Sequence, residues 1–413
     1  MHNPEASNHS LSIRNFPTLP RRICPKLRSG DRFGIDKYHA ARAETPYGGY
    51  GPYPNRQIRG RIVELLSQGR EGTSTTRTPS PTAHSPAHPL TLPLARSPVR
   101  PLQDFGVAAG DVKKLKEAGF YSVESVAYAS RRELADVKGV SDAKVSKIKD
   151  AASQLVPSGF ATAHTILAAR GSLIRITTGS TALDGILGGG LESGSITEIY
   201  GEFRCGKTQL CHTLAVTSQI PVTHGGGEGK CLYIDTEGTF RPDRLVDIAE
   251  RFQMDPEAVL NNIAFARAHN TEHQQELLAQ AGALLSESRF SLIICDSATA
   301  LFRTEYIGRG ELASRQNNLG KFLKGLQRLA DEYGVAVLVT NQVVQSGLDG
   351  AMSFGPSVKP IGGNIMAHAT TTRLQLKKGR GSDRIANLIA SPSMPENQAT
   401  FGISQHGIGD ASD

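Results

Sequence analysis

The stretch Gly201-Glu202-Phe203-Arg204-Cys205-Gly206-Lys207-Thr208 satisfies the Gly-x4-Gly-Lys-[Ser/Thr] phosphate-binding pattern at every constrained position. In such a loop the glycines let backbone N–H groups turn inward around a phosphate. The lysine reaches the β- and γ-phosphate oxygens, and the threonine hydroxyl is placed to ligate Mg²⁺. The run Ser195 to Tyr200 (SITEIY) reads as a strand just before the loop, and Gln209 to Ser218 (QLCHTLAVTS) as a helix just after it. Strand, glycine loop and helix are the context the pattern requires. By itself the loop implies a nucleoside triphosphate site with Mg²⁺, a chemistry that serves many unrelated functions.

Further apolar runs follow the loop. They are Cys231 to Asp235 (CLYID), Leu292 to Asp296 (LIICD), Val335 to Thr340 (VAVLVT) and Thr372 to Lys377 (TRLQLK), with helical stretches such as Glu276 to Glu287 and Lys321 to Glu332 between them. Continuous apolar strands alternating with helices predict an α/β fold with a parallel sheet covered on both faces, its ligand at the carboxyl ends of the strands. Asp296 ends one such strand, where a carboxylate either holds the water shell of Mg²⁺ beside Thr208 or caps a neighbouring backbone. Asp235-Thr236-Glu237 brings two more carboxylates to a second strand end, and an ATPase needs one of them to orient the attacking water. Period-two alternation points both the same way, so spacing does not choose between them. Gln342 lies just past a strand, where an amide can touch a γ-phosphate and report its loss to the following segment. In that segment Gly347, Gly350, Gly355, Gly362 and Gly363 fall within 17 residues. A long glycine-rich loop beside a nucleotide sensor reads as a ligand-ordered element.

Upstream of the loop, Val107, Val112, Leu115, Ala118, Val123, Val126, Leu134, Val137 and Val140 recur at helical spacing between short glycine or serine turns. They predict a compact helical unit of about 55 residues. Within it, Val137 to Lys144 (VKGVSDAK) reads as a glycine turn, Ser141 as N-cap, and a helix carrying Lys144, Lys147 and Lys149. This resembles a helix-hairpin-helix, whose turn amides and lysines hold a DNA phosphate without reading sequence. The alternative is a packing turn with a solvated lysine face. Pro157-Ser158-Gly159 then breaks the helical pattern, and Phe160-Ala161-Thr162-Ala163 follows. Either the Phe160 ring packs back on its own chain, or it anchors in a pocket on another molecule.

At 413 residues and 38% hydrophobic content, the chain supports one large core and a smaller one. No apolar run approaches the roughly 18 residues of a bilayer span, and the first 30 residues lack a signal-peptide apolar region. The expectation is a soluble, non-secreted protein with no membrane partner. The five cysteines, Cys24, Cys205, Cys211, Cys231 and Cys295, show no metal-ligand spacing and read as reduced thiols. Of the net charge of +7, residues 1–97 hold 14 Lys/Arg against 6 Asp/Glu, which leaves −1 for the rest. Bulk charge therefore gives the folded part no argument for nucleic-acid binding, and that argument has to come from particular loops. Residues 1–101 also contain 14 of the 22 prolines, which predicts disorder. Thr78-Pro79, Ser80-Pro81, Ser85-Pro86 and Ser97-Pro98 are candidate proline-directed phosphorylation sites there, and a solvated tail without a specific role is the plainer reading. The expected divisions are a basic tail 1–97, a helical domain 98–157, a linker 158–171 and a nucleotide-binding core 172–413.

The stretches Gly201 to Arg204 (GEFR), Asp235 to Pro242 (DTEGTFRP), Gly308 to Leu312 (GRGEL), Thr340 to Val343 (TNQV) and Pro360 to Asn364 (PIGGN) carry a resemblance. From about Leu102 to Asp413 the chain resembles the eukaryotic branch of the RecA-like DNA strand-exchange recombinases. Gly238 resembles the mitotic members and Cys205 the meiotic ones; the resemblance as a whole is to the mitotic branch. It implies a RecA-like P-loop ATPase core behind a small helix-hairpin-helix domain, with ATP and Mg²⁺ as cofactors. It implies Lys207 and Thr208 on phosphate and Mg²⁺, Asp296 on the Mg²⁺ shell, Glu237 as the water-activating base, Gln342 as the sensor, and Gln209 and Arg244 in the ATP site, Arg244 beside the adenine. It also implies a helical filament in which Phe160 and Ala163 dock on the next protomer around Ala264 and Ala266, with Tyr128 joining the contact. Arg303 and Arg309 would belong to a first DNA loop, and the run from Gln345 to Lys359, with Gly347, to a second. Single-stranded DNA would lie along the filament axis, held through phosphates, and pair with double-stranded DNA. Recombination mediator proteins and a nuclear location complete the implied setting.

Three positions depart from the family pattern, all where DNA or the neighbouring nucleotide is touched. Ile307 stands where the family has a small polar residue, and Gly347 where it has valine. Pro356-Ser357-Val358-Lys359-Pro360 stands where an Asp-Pro-Lys-Lys-Pro run caps ATP across the interface. Two functions are therefore carried forward. One is an ATP-dependent recombinase for homologous pairing and strand exchange in double-strand break repair. The other is a diverged relative, meiotic in type or a non-exchanging scaffold or mediator, that binds ATP and partners.

Overall fold

In the computed structural model, which describes residues 99–156, 158–345 and 358–411, the chain first forms four short helices. They are α1 (Ala109–Glu117), α2 (Val123–Tyr128), α3 (Arg131–Ala135) and α4 (Asp142–Leu155). Serines set two of the starts. Ser122 accepts from the Ser125 N–H at 2.9 Å and Ser130 from the Glu133 N–H at 3.2 Å, each within a capping box. Val112, Leu115, Val123, Leu134, Val145 and Ile148 close a small core of their own. The turn before α4 passes through Gly139 at φ +79°, whose carbonyl accepts from Lys114 at 2.9 Å. The lysine face expected on α4 is only partly solvated. Lys144 pairs with Asp111 at 2.8 Å and holds that carboxyl below the usual carboxylate range. Lys149 donates to the Ala127 carbonyl at 2.8 Å and also to that of Ala129, so only Lys147 of the three stays fully exposed.

Beyond Pro157, α5 (Ala163–Arg170) has no buried residue, and the Phe160 side chain is wholly exposed. The ring does not pack back on its own chain. The core then begins with β1 (Arg175–Ile176), α6 (Thr181–Ile186), β2 (Leu191–Glu192), β3 (Ile196–Gly201) and α7 (Lys207–Thr217). Next come β4 (Lys230–Asp235), α8 (Pro242–Arg251), α9 (Pro256–Asn261), β5 (Ile263–Arg267), α10 (Thr271–Glu287), β6 (Phe290–Asp296), α11 (Ala300–Glu305) and α12 (Leu312–Tyr333). The chain closes with β7 (Ala336–Asn341), β8 (Val343–Gln345), β9 (Val358–Pro360), α13 (Gly363–Ala369), β10 (Thr372–Lys378), β11 (Asp383–Ala390), β12 (Asn397–Ser404) and β13 (Gly407–Asp410).

Nine strands make one sheet in the order β13-β12-β11-β10-β3-β7-β6-β4-β5. From β10 to β5 every pairing is parallel, as the apolar runs predict. Beyond the strands those runs form, β11, β12 and β13 extend the sheet antiparallel from β10, so the sheet as a whole is mixed. These strands have one face near solvent and need only short turns, so they lack the continuous apolar signature of buried parallel strands. Alternation along the central strands feeds two cores. Ile294, Leu338 and Tyr233 face α7 and α8, whereas Ile293, Val337 and Leu232 face α10 and α12. The helical unit rests on α12: Ser122 donates to Glu332 at 2.5 Å, and Arg328 donates to the Ser125 carbonyl at 3.2 Å while lying over the Phe120 ring.

Candidate active site

The phosphate loop joins the end of β3 to α7, and its glycines are there because nothing larger fits. A Cβ on Gly201 would stand 2.2 Å from the Leu376 carbonyl oxygen of β10, and one on Gly206, at φ +100°, 2.8 Å from Ile403. Arg204 takes φ +64° without being glycine, a costly conformation found where a structure over-determines it. Gly206 caps α7 with no side chain, so the first-turn N–H groups have no side-chain acceptor and stand ready for an anion. Lys207 donates to the carbonyls of Gly201 at 2.9 Å and Glu202 at 3.0 Å. Its ammonium is thus held over the loop that it would share with a phosphate. Phe203 is exposed, with the Arg204 guanidinium over its ring. The Cys205 thiol is buried, which pushes its pKa up, so this residue offers a ligand its backbone only.

Behind the loop, Asp296 is buried at the end of β6. Thr208 donates to it at 2.8 Å, Thr340 at 2.5 Å and the Tyr233 hydroxyl at 3.2 Å. Burial pushes its carboxyl above the usual carboxylate range, against the pull of the Thr340 and Thr208 hydrogen bonds. A hydroxyl and a carboxylate within 2.8 Å of each other are hard oxygen donors of the kind Mg²⁺ takes. Among the described residues no cluster of three His, Cys, Asp or Glu could cage a metal. Mg²⁺ needs no such cage, since one or two protein oxygens hold it with phosphate and water completing the shell. The residues present fit Mg²⁺.

The two carboxylates after β4 have different surroundings. Asp235 is buried and accepts backbone N–H groups from Glu237 at 2.9 Å, Gly238 at 2.8 Å and Phe240 at 3.0 Å, so it shapes the turn. β4 ends at Asp235, alternation does not continue to Glu237, and the Glu237 side chain is exposed. Glu237 accepts from the Gln342 amide nitrogen at 2.7 Å, and the Gln342 amide oxygen accepts from Arg303 at 3.2 Å. The amide therefore bridges the second carboxylate and a cation on α11. Next to it, Asn341 is fixed by Thr299, Glu198 and the Ile361 carbonyl, each at 2.7 Å, and Glu198 is itself paired with Arg373 at 2.6 Å. Sequence reasoning did not find Thr340, Tyr233 or this buried network. Polar residues inside apolar strands were the available signal.

Other expected site residues lie apart. Arg244 on α8 donates to Gln209 at 3.0 Å and to the carbonyls of Ser404 and Gln405, which ties the start of α7 to the β12–β13 hairpin. With Arg204, Gly206 and Arg384 these side chains line an open cleft of about 420 Å³ beside the loop. A larger cleft of about 1030 Å³, between the helical unit and α12, is lined by none of the phosphate-loop residues. Ala264 and Ala266 sit on β5 at the edge of the sheet, on the face opposite Phe265, whose ring stacks on Phe240. Phe160 is wholly exposed, Ala163 begins a helix with no buried residue, and Tyr128 is more than half exposed. Arg309 opens a 3₁₀ turn, Arg309–Glu311, and Lys359 is exposed on β9 opposite Val344. Gly347, Pro356, Ser357 and residues 1–97 lie outside the described residues.

The sequence pattern of the Rad51 family matches residues 169–411, and that of SAM-like helix-hairpin-helix tandems matches residues 106–154. The chain is 60% identical over 317 residues to the DNA repair protein RAD51 homolog of Solanum lycopersicum, covering 76% of this chain and 92% of the relative. To the DNA repair protein RAD51 homolog B of Zea mays it is 59% identical over 317 residues, covering 76% and 93%. To the DNA repair protein RAD51 of Saccharomyces cerevisiae it is 58% identical over 314 residues, covering 76% and 78%. With a phosphate cradle at the end of its third strand, a helix-hairpin-helix match ahead of it and the Rad51 pattern over more than half of its length, the chain belongs to the Rad51 family.

Proposed function

We propose that this chain is an ATP-dependent DNA recombinase that forms helical filaments on single-stranded DNA and carries out homologous pairing and strand exchange in DNA repair. The observation that carries the reading is the bridge from Glu237 through Gln342 to Arg303, which links a candidate hydrolytic carboxylate to a cation outside the nucleotide site. Lys207 leaves the Gly201 and Glu202 carbonyls for phosphate oxygens, and the α7 N–H groups cradle the β-phosphate. Thr208 and Asp296 would hold Mg²⁺, which would offset negative charge on the phosphates. Glu237 takes a proton from the water that attacks the γ-phosphate, while Asp235 keeps the turn in shape. Gln342 senses whether the γ-phosphate is present, and β8, which starts just after it, leads toward the second DNA loop.

Assembly follows from the exposed Phe160 and from the free edge of β5, where Ala264 and Ala266 leave room for a ring from the next protomer. Arg303, Arg309, Gly347 and Lys359 line the DNA path, and binding is through phosphates with little sequence preference. The protein acts in the nucleus with recombination mediator proteins. ATP turnover measured with and without single-stranded DNA, together with imaging of filaments and a strand-exchange assay, tests the reading. Absence of both DNA stimulation and filaments defeats it. Stimulation and filaments without strand exchange favour a non-exchanging relative, the alternative motivated by Val358 in place of the family's lysine.

A further inference from the structure

We propose that Arg303 is a positioning residue for ATP hydrolysis, holding the Gln342 amide in the orientation that restrains Glu237 until DNA draws the guanidinium away. The inference rests on the recombinase reading above and goes beyond it by naming the group through which DNA would reach the nucleotide.

The amide bridges two unlike groups. Its oxygen accepts from the Arg303 guanidinium at 3.2 Å and its nitrogen donates to the Glu237 carboxylate at 2.7 Å. Turned over, it would set an N–H₂ against the guanidinium and an oxygen against the carboxylate, with both contacts repulsive. Arg303 thereby selects the orientation that ties up Glu237, and a carboxylate whose lone pair is committed to an amide is a poorer acceptor for a water proton. The backbone beneath does not move with the side chain. The Gln342 carbonyl accepts from the Ile361 N–H at 3.0 Å, and Asn341 is held by Thr299 and Glu198. On the other side, α11 is anchored where its Glu305 accepts from the Thr271 N–H at 2.7 Å. What remains free to turn is the Gln342 side chain.

Arg303 is built to be drawn off. It is exposed, and among the described residues no carboxylate lies within ion-pair distance of it. Among the described residues its side-chain acceptor is a neutral amide oxygen. A DNA phosphate offers the guanidinium an anionic acceptor that can take two parallel hydrogen bonds, where the amide offers one neutral oxygen, so it displaces the amide. Gln342 is then free to turn toward the γ-phosphate, and Glu237 toward water.

The test is steady-state ATP turnover by the full-length chain, with and without oligodeoxythymidine. It uses wild type, Arg303→Ala, Arg303→Lys, Gln342→Ala and the Arg303→Ala/Gln342→Ala double variant. Without DNA, Arg303→Ala raises kcat roughly fivefold, the effect of losing one hydrogen bond. KM for ATP is unchanged and the oligonucleotide adds little more. Arg303→Lys, which keeps a donor, returns the DNA-free rate to the wild-type value. In the Gln342→Ala background, Arg303→Ala has no effect on the DNA-free rate. A DNA-free kcat that is unchanged or lowered in Arg303→Ala, with wild type still stimulated by DNA, overturns this inference and leaves the recombinase reading intact. A wild type indifferent to the oligonucleotide overturns this inference too, and only if filaments are also absent does the recombinase reading fall with it.

Discussion

At the scale of single residues, local geometry separates groups that the sequence leaves equivalent. Asp235 and Glu237 are two positions apart, yet three backbone N–H groups occupy Asp235 while Glu237 accepts from a side-chain amide. Glu237→Gln is therefore expected to lower ATP turnover roughly a hundredfold or more while leaving nucleotide binding near wild type, which a fluorescent-nucleotide titration beside a turnover assay checks. His212 on α7 supplies a second case. Its ring is buried beside Tyr233 and Phe240 and accepts from the Arg241 N–H at 3.3 Å. Burial lowers its pKa from 6.5 to about 4. As pH falls through that window, the unfolded chain takes up a proton that the folded one refuses, so stability declines toward acid. The loss attributable to this residue is roughly 2–3 kcal/mol near pH 4.5, and denaturant unfolding of wild type and His212→Phe near pH 7 and pH 4.5 isolates it. Neither the burial nor the missing proton is visible in the one-letter code, because both depend on which rings the fold stacks around the histidine.

At the scale of elements, legibility tracks burial. β3, β4, β6 and β7 are buried along nearly their whole length and read as continuous apolar runs. β5 is a short edge strand with no fully buried residue, and β11 to β13 are half-open, so their sequences carry no such run. The edge strand matters for assembly. An unpaired edge presents N–H and C=O groups to an incoming extended segment, and the exposed Phe160, outside any helix or strand, is the proposed one. Phe160→Glu is expected to give a monomer that still binds ATP, since a carboxylate finds no partner in an apolar pocket. Light scattering of the two proteins at equal concentration measures it, and an unchanged mass contradicts the docking role.

At the scale of the whole molecule, charge is divided unevenly, with the excess of +8 in residues 1–97 and −1 in the remainder. Deleting that segment is expected to weaken DNA binding at low salt and to have little effect at high salt, because its contribution is unspecific attraction to phosphates. Titrations of both proteins across a salt series test this; a loss of affinity that persists at high salt would mean specific contacts. The phosphate loop, the strand-end carboxylates, the helical unit and the family were all legible in the sequence, because each rests on residue types at short spacing. Their roles toward one another were not. That Thr208 and Thr340 converge on Asp296 from 88 and 44 residues away, and that Gln342 joins Glu237 to Arg303, depends on which strands lie side by side. The parallel order that puts β7 between β3 and β6 is a long-range packing outcome. Local patterns determine that a strand ends in a carboxylate, and only the assembled sheet decides what that carboxylate touches.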